Sequence, residues 1–153
     1  MEFVVDMRNG NRKDMIEGCL RVFIRELKLE KSKTQLFVFS KKNFEKEQGC
    51  AGMVYPYAPG LITMDLDSRM SVEKLIEVVA HEMVHVKQIA KGQLKYDGKK
   101  MFWKGKRVYP KKMSYYDHPW EIEAWKTQRY LETRVWGLLE KAGIIDKVEH
   151  GLK

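Results

Sequence analysis

Residues 71–91, SVEKLIEVVAHEMVHVKQIAK, constrain this chain more than any other stretch, because His81-Glu82-Met83-Val84-His85 within them is an H-E-x-x-H motif. Ser71 suits a helix N-cap, Glu73 places an acid in the first turn, and Gly92 suits the position after the last turn. Val72, Leu75, Ile76, Val79, Met83 and Val86 recur at three and four, which makes an apolar side. Residues four apart on a helix share one face, one turn above each other. Two imidazoles at that spacing can bind one Zn²⁺, and the Glu between them can reach a water on the ion. The rest of the chain must supply a third ligand, a core and a place for a substrate.

The third ligand should come from another element. Around Pro119 a second long helix is predicted, running from Trp120 to about Ala142, with Trp120, Ala124, Leu131, Val135, Leu138 and Ala142 on its packing side and Gly143 able to stop it. Its first turn reads Glu121-Ile122-Glu123-Ala124. The small residue three places after Glu121 lies on the same face and lets two helices approach closely. Glu121 and Glu123 point about 200° apart round a helix, so only one can face a metal. Glu121 is preferred, Glu123 is the alternative, and His118 is the third candidate.

The remaining pattern frames these helices. Residues 2–7 are short and apolar and suit a first strand or an extended lead-in. Residues 12–29 carry Met15, Ile16, Cys19, Leu20, Phe23, Ile24 and Leu27 at helical spacing, and Cys19 falls on that stripe as a core thiol. Residues 35–40 read as a buried strand and 41–48 as a charged connection. Residues 50–57 and 61–66 read as further strands, the latter with one wet face by its alternation. Asp97-Gly98 and Lys104-Gly105 mark turns of a hairpin in 93–110. The prediction is a single α+β domain over residues 1–153, with 144–153 as a tail.

Charge is concentrated. Nine of the 29 Lys and Arg residues, but only one of the 21 acids, lie in residues 91–112, so that stretch holds the whole net charge of +8 and the remainder is balanced at twenty against twenty. Lys99, Lys100, Lys104, Lys106 and Arg107 are its centre, read as a solvated hairpin or as a patch for nucleic acid or an acidic partner. The longest apolar run, in 75–86, is broken by Glu77, His81, Glu82 and His85, so no membrane span is expected. With no secretory signal visible and only Cys19 and Cys50, reduced thiols and a cytoplasmic location are expected. Oligomeric state is not legible.

The H-E-x-x-H helix followed by a helix opening E-x-x-A resembles the gluzincin class of zincin metallopeptidases. Residues 81–88 (HEMVHVKQ), 103–106 (WKGK) and 119–124 (PWEIEA) are similar to stretches of compact gluzincin-like proteins, among them the ImmA/IrrE type and short phage-encoded metallopeptidase-like proteins. The likeness covers roughly residues 61–131. It implies a zincin-like fold with His81, His85 and Glu121 as zinc ligands and Glu82 as general base in peptide hydrolysis, and, for a phage-encoded protein, the host cytoplasm. It also implies that the strand before the zinc helix is an edge that binds an extended peptide, which assigns substrate binding to Leu61, Ile62, Thr63 and Met64. Tyr115, Tyr116 and His118, just before the second helix, are the candidate donors to the oxyanion. A more distant similarity is to SprT-like domains, which act near DNA and use a third His, a role His118 would fill. The rival reading is a catalytically silent or partner-activated zinc protein whose basic hairpin makes the productive contact.

Overall fold

The computed structural model describes residues 1–143, so the expected tail lies outside the described residues. In order the chain forms β1 (Phe3–Asp6), α1 (Gly10–Glu26), β2 (Gln35–Lys41), α2 (Phe44–Gln48), β3 (Gly52–Ala58), β4 (Leu61–Asp67) and α3 (Val72–Ala90). There follow β5 (Leu94–Asp97), β6 (Lys100–Trp103), β7 (Lys106–Val108), two short 3-10 turns, and α4 (Pro119–Lys141). This is a mixed α+β fold, and no described helix is long and apolar enough to cross a membrane.

Each long helix forms where its apolar spacing and cap coincide. Asn9 accepts from the Arg12 amide at 3.0 Å and starts α1, whose Met15, Ile16, Cys19, Leu20 and Phe23 are fully buried. Ser71 accepts from the Lys74 amide at 3.2 Å and starts α3, and Gly92 takes the left-handed conformation beyond its end. One four-stranded sheet has the order β1-β2-β4-β3, with β1, β2 and β4 parallel and β3 antiparallel to β4. Val5, Leu36, Val38, Ile62, Met64 and Leu66, all on one face by the two-residue repeat, join the buried sides of α1, α3 and α4 in a single core. The basic segment forms a separate three-stranded sheet, β5-β6-β7, with the two expected turns at Gly98 and at Lys104-Gly105.

Two expectations are corrected here. Strand β4 is not an edge: Leu36 pairs with Ile62 on one side and Val54 with Met64 on the other. Leu61, Ile62, Thr63 and Met64 therefore have no free backbone edge to offer a peptide; that edge belongs to β3. Nor has β4 a wet face. Asp65 accepts from Lys41 Nζ at 3.0 Å and Tyr55 OH at 3.1 Å, and Asp67 accepts from the amides of Glu45 and Arg69, each at 2.7 Å. Alternation marks these acids as polar, but they are buried and their bonds come from protein donors, with Asp65 Oδ1 left without a partner. The 41–48 connection also contains α2, whose Phe44 is buried and whose first turn is held by that Asp67 bond. A five-residue helix in a charged run has too little periodicity to be read from sequence.

Candidate metal centre

Helix α3 presents His81, Glu82 and His85 toward α4, with His81 and Glu82 both 9% exposed. Helix α4 begins after His118 with Pro119 as its first residue, which places Glu121 in the first turn. Ala124 is fully buried, and Glu121, Ala124 and Gln128 follow one another along the stripe that faces α3. The result is a convergence: His81 Nε2 and His85 Nε2 each lie 3.0 Å from the same Glu121 carboxylate oxygen. Ligand atoms of His81, His85 and Glu121 all lie within 4.8 Å of one another, and this group could hold a metal ion.

The other nitrogen of each imidazole decides what faces the centre. His85 Nδ1 is 2.8 Å from Gln88 Oε1, and His81 Nδ1 is 2.9 Å from Gln128 Oε1. The Gln88 amide nitrogen donates to the Trp120 carbonyl and to Glu123, both at 2.9 Å, so its oxygen must face the ring. Gln128 likewise hydrogen-bonds Glu132, a group that can only accept when ionised. Both Nδ1 atoms therefore carry a proton, and both Nε2 atoms face the Glu121 carboxylate, as N–H donors while protonated and as lone pairs once that proton gives way to a cation. Three acceptors gathered in one place repel each other unless a proton or a cation sits among them. That donor set, two imidazoles and a carboxylate with ring orientations locked from behind, fits a metal ion.

The charges respond accordingly. Burial by itself would raise the Glu121 carboxyl, but the hydrogen bonds from His81 and His85 overcome it and hold Glu121 well below the usual carboxylate range. Burial would likewise lower His85, yet the Glu121 hydrogen bond and charge, with Glu82 adding, push it up. Glu82 is raised by burial, against the opposing pull of His85 and His81.

These groups open onto a cavity of about 250 Å³ whose far wall is the free strand β3, through Gly52, Met53 and Val54. A Cβ at Gly52 would stand 2.6 Å from Val78 Cγ1 and 3.3 Å from Glu82 Cγ, so the strand reaches the helix only because this residue has no side chain. Leu94, Tyr96 and Tyr115 close the rim and Cys50 lies at the start of the strand wall. Burial, then the nearby Glu121 charge and a hydrogen bond to Glu121, push the Tyr115 phenol up to about 12, so it keeps its proton.

The candidates from the sequence are thus separated. His81, Glu82, His85, Glu121 and Tyr115 come together. Glu123 does not reach the centre; it pairs with Lys87 at 2.9 Å and orients Gln88. His118 does not either, because its Nε2 donates to the Pro110 carbonyl at 3.0 Å while its ring stacks on Trp120. Tyr116 is 79% exposed, lies edge-on to Tyr115 and is not part of the cavity wall. Lys99, Lys100, Lys104, Lys106 and Arg107 are exposed on the second sheet, away from the cavity lining. Sequence reasoning missed Gln88, Gln128 and Glu132 behind the histidines, Tyr96 on the rim, and the Trp125 ring 4.7 Å from that of His81. One signal was present: Gln88 is three residues after His85, and Gln128 seven after Glu121, both polar on a buried stripe.

No protein-family model, curated protein or solved structure matches this chain.

Proposed function

We propose that the chain is a zincin-like zinc metallopeptidase of the gluzincin kind. The observation that carries this reading is the meeting of His81, His85 and Glu121 beside a buried Glu82, under the free edge of a strand. Two imidazoles and one carboxylate that leave a fourth position open form a donor set used for catalytic zinc. Zinc held there would supply Lewis-acid activation of water and of a scissile carbonyl.

The chain's own groups account for the rest. Glu82 lines the cavity with its affinity for protons raised by burial, which suits a carboxylate that takes a proton from water and hands it to the leaving amine. Tyr115 keeps its phenolic proton and lines the same cavity, so its O–H would serve as donor to the oxyanion once it turns from Glu121 to the substrate. Met53 and Val54 of the outer strand β3 line the cavity, where an extended peptide would add as a further strand with little demand on its side chains. His118 and Tyr116 take no part in this scheme.

The test is a pair of variants on the zinc-loaded protein, read with a mixed peptide library by mass spectrometry. Glu82→Gln should keep zinc and lose about 100-fold or more in hydrolysis, whereas His81→Ala should lose the metal itself. Hydrolysis that survives Glu82→Gln would remove the peptidase reading.

A second reading rests on the aromatic–cation pairs of the hairpin, where Lys104 lies 5.2 Å from the Trp103 ring and Arg107 and Lys112 each lie 5.0 Å from that of Tyr109. It makes this sheet a surface for nucleic acid or an acidic partner. Single-stranded DNA binding that falls steeply with salt, and falls further when Lys99, Lys100, Lys104 and Lys106 are neutralised, would support it.

A further inference from the structure

A second cavity, of about 700 Å³, shares no lining residue with the metal centre. It lies where β1, β2 and β4 end and α1 begins. In sheets with parallel strands, ligands bind beyond the carboxyl ends of those strands, and the start of a helix favours negative charge. Location alone would say little, but the side chains are specific. Arg8 and Arg12 come from the entry to α1, Lys42 from the end of β2, and Arg69 from the end of β4; the one acid among the lining residues is Asp6.

Arg12 is the unusual member. Its side chain is only 6% exposed. One guanidinium nitrogen, Nη2, donates to the Met70 carbonyl, while Nε is buried with no partner. Among the described residues no carboxylate forms an ion pair with it, nor with Arg8, Lys42 or Arg69. Burial pulls the guanidinium below its ordinary value, but Arg does not lose its proton in proteins. A buried charged fork with one donor unpaired and no carboxylate partner is costly to a fold unless a counter-charge arrives from outside. A planar fork of N–H donors matches phosphate oxygens.

We propose that this cavity binds a phosphorylated, hydroxylated small molecule, with Arg12 as the buried anchor for its phosphate and Arg8, Lys42 and Arg69 closing round it. Four cations against one acid leave an excess of three positive charges, which suits a phosphate ester or diphosphate better than a single carboxylate. The volume exceeds what a free phosphate needs and falls in the range of small-molecule sites. Ser40, Ser68 and the Asp6 carboxylate offer partners for hydroxyl groups on the rest of the ligand. None of the lining residues is aromatic, so the site lacks the stacking platform that reads single-stranded nucleic acid.

Calorimetric titration of the full chain at constant ionic strength tests this, with ribose 5-phosphate, inorganic pyrophosphate and unphosphorylated ribose as probes. Ribose 5-phosphate should bind saturably at one site, and ribose should not bind. Pyrophosphate that binds less tightly than the sugar phosphate supports contacts to the hydroxyl groups; pyrophosphate that binds more tightly removes that half of the proposal. Lys42→Ala and Arg69→Ala should each weaken binding about tenfold, and Arg12→Lys, which keeps the charge and loses the fork, by more. If Arg12→Lys does not fold, the Lys42→Ala/Arg69→Ala double variant decides. Lys99→Ala/Lys100→Ala on the hairpin should leave binding unchanged. The site would be ruled out by no saturation with either phosphate at about 10 mM, by affinity indifferent to Lys42 and Arg69, or by a single-stranded oligonucleotide that outcompetes ribose 5-phosphate through the same residues.

Discussion

At the metal centre both ring nitrogens of His81 and of His85 have partners at 2.8 to 3.0 Å, and the two glutamines behind them are held in turn by Glu123 and Glu132. At the ends of β1, β2 and β4 the Arg12 guanidinium donates to the Met70 carbonyl and, among the described residues, forms no ion pair with a carboxylate. Both regions bury charge, and they differ in where the compensating charge resides. The first holds its rings in place from behind with its own acceptors and donors, and needs only a proton or a cation among its three ligand atoms. The second sets four cations against the single carboxylate of Asp6, so most of its compensating charge must come from outside. A pre-built centre of this kind suits chemistry, which needs fixed positions; a one-sided cluster of cations suits capture.

The contrast can be broken at the centre first. Replacing Glu121 with Ala removes the one group common to both histidines and should weaken zinc binding by more than about 100-fold in a competition titration. Glu123→Ala should do less, because Glu123 acts through Gln88; a larger loss from Glu123→Ala than from Glu121→Ala would mean that Glu123 and not Glu121 is the ligand. Gln88→Leu and Gln128→Leu remove the outer partners and should each cost about 10 to 100-fold in zinc affinity. Because the rings lose their fixed tautomers, the visible spectrum of the cobalt-substituted protein should change as well. An unchanged affinity and spectrum would show that the histidines need no support from behind.

The wall of the cleft comes next. Gly52→Ala forces a methyl group against Val78 and Glu82, and should lower stability by about 1–3 kcal/mol in urea unfolding. Zinc affinity should fall with it. A neutral result would mean that β3 can move away from α3 without loss, and the edge would then be no fixed wall.

Smaller effects follow from protons, and they have opposite signs with and without metal. In the metal-free protein His85 is raised, so its stabilisation is complete below the unfolded His value of about 6.5 and is lost as pH rises through the folded value. Glu82, also raised, loses stability in the same direction at lower pH, from the unfolded Glu value of about 4.3 upward. Glu121, held low, contributes above that same unfolded value and loses its contribution only in strong acid. The metal-free melting temperature should therefore fall as pH rises through and above neutrality. Added zinc should stabilise more as pH rises, because protons then cease to compete for the imidazoles. Scanning calorimetry with and without zinc checks both slopes, and parallel slopes would contradict the shared Glu121 arrangement.

The smallest expected effect separates the two cysteines, both free. Burial raises the Cys19 thiol to about 12, so alkylation of the folded protein should label Cys50 and spare Cys19, as read by peptide mass mapping.

Much of the fold and of the centre is legible in the residues alone. The caps at Ser71 and Gly92, the helical stripe of α1 and the turns of the hairpin are local chemistry, and each follows from neighbours a few residues apart. Glu121 and Glu123 are separable on sequence because helix geometry points them in different directions. The expectation for β4 fails on the opposite kind of property. Which strand lies at an edge depends on pairing between segments far apart in sequence, and a two-residue repeat reads the same whether its acids meet water or Lys41 and Tyr55. Gln88 and Gln128 escape notice for the same reason, since an amide on a helix has no role until another helix supplies what it must hold.

The sequence by itself determined the chemistry on offer: two histidines and a glutamate at one helical pitch, a second helix with a close-packing alanine, and a net charge confined to one hairpin. These are set by periodicity and by charge, which need no partner to be read. Only the tertiary structure decided that β3 and not β4 forms the free wall, that Glu121 is shared while Glu123 stands behind, and that Arg12 is buried without a counter-charge. The physical reason is that such features are differences between solvated and packed environments, and they come into being only when distant segments exclude water from one another.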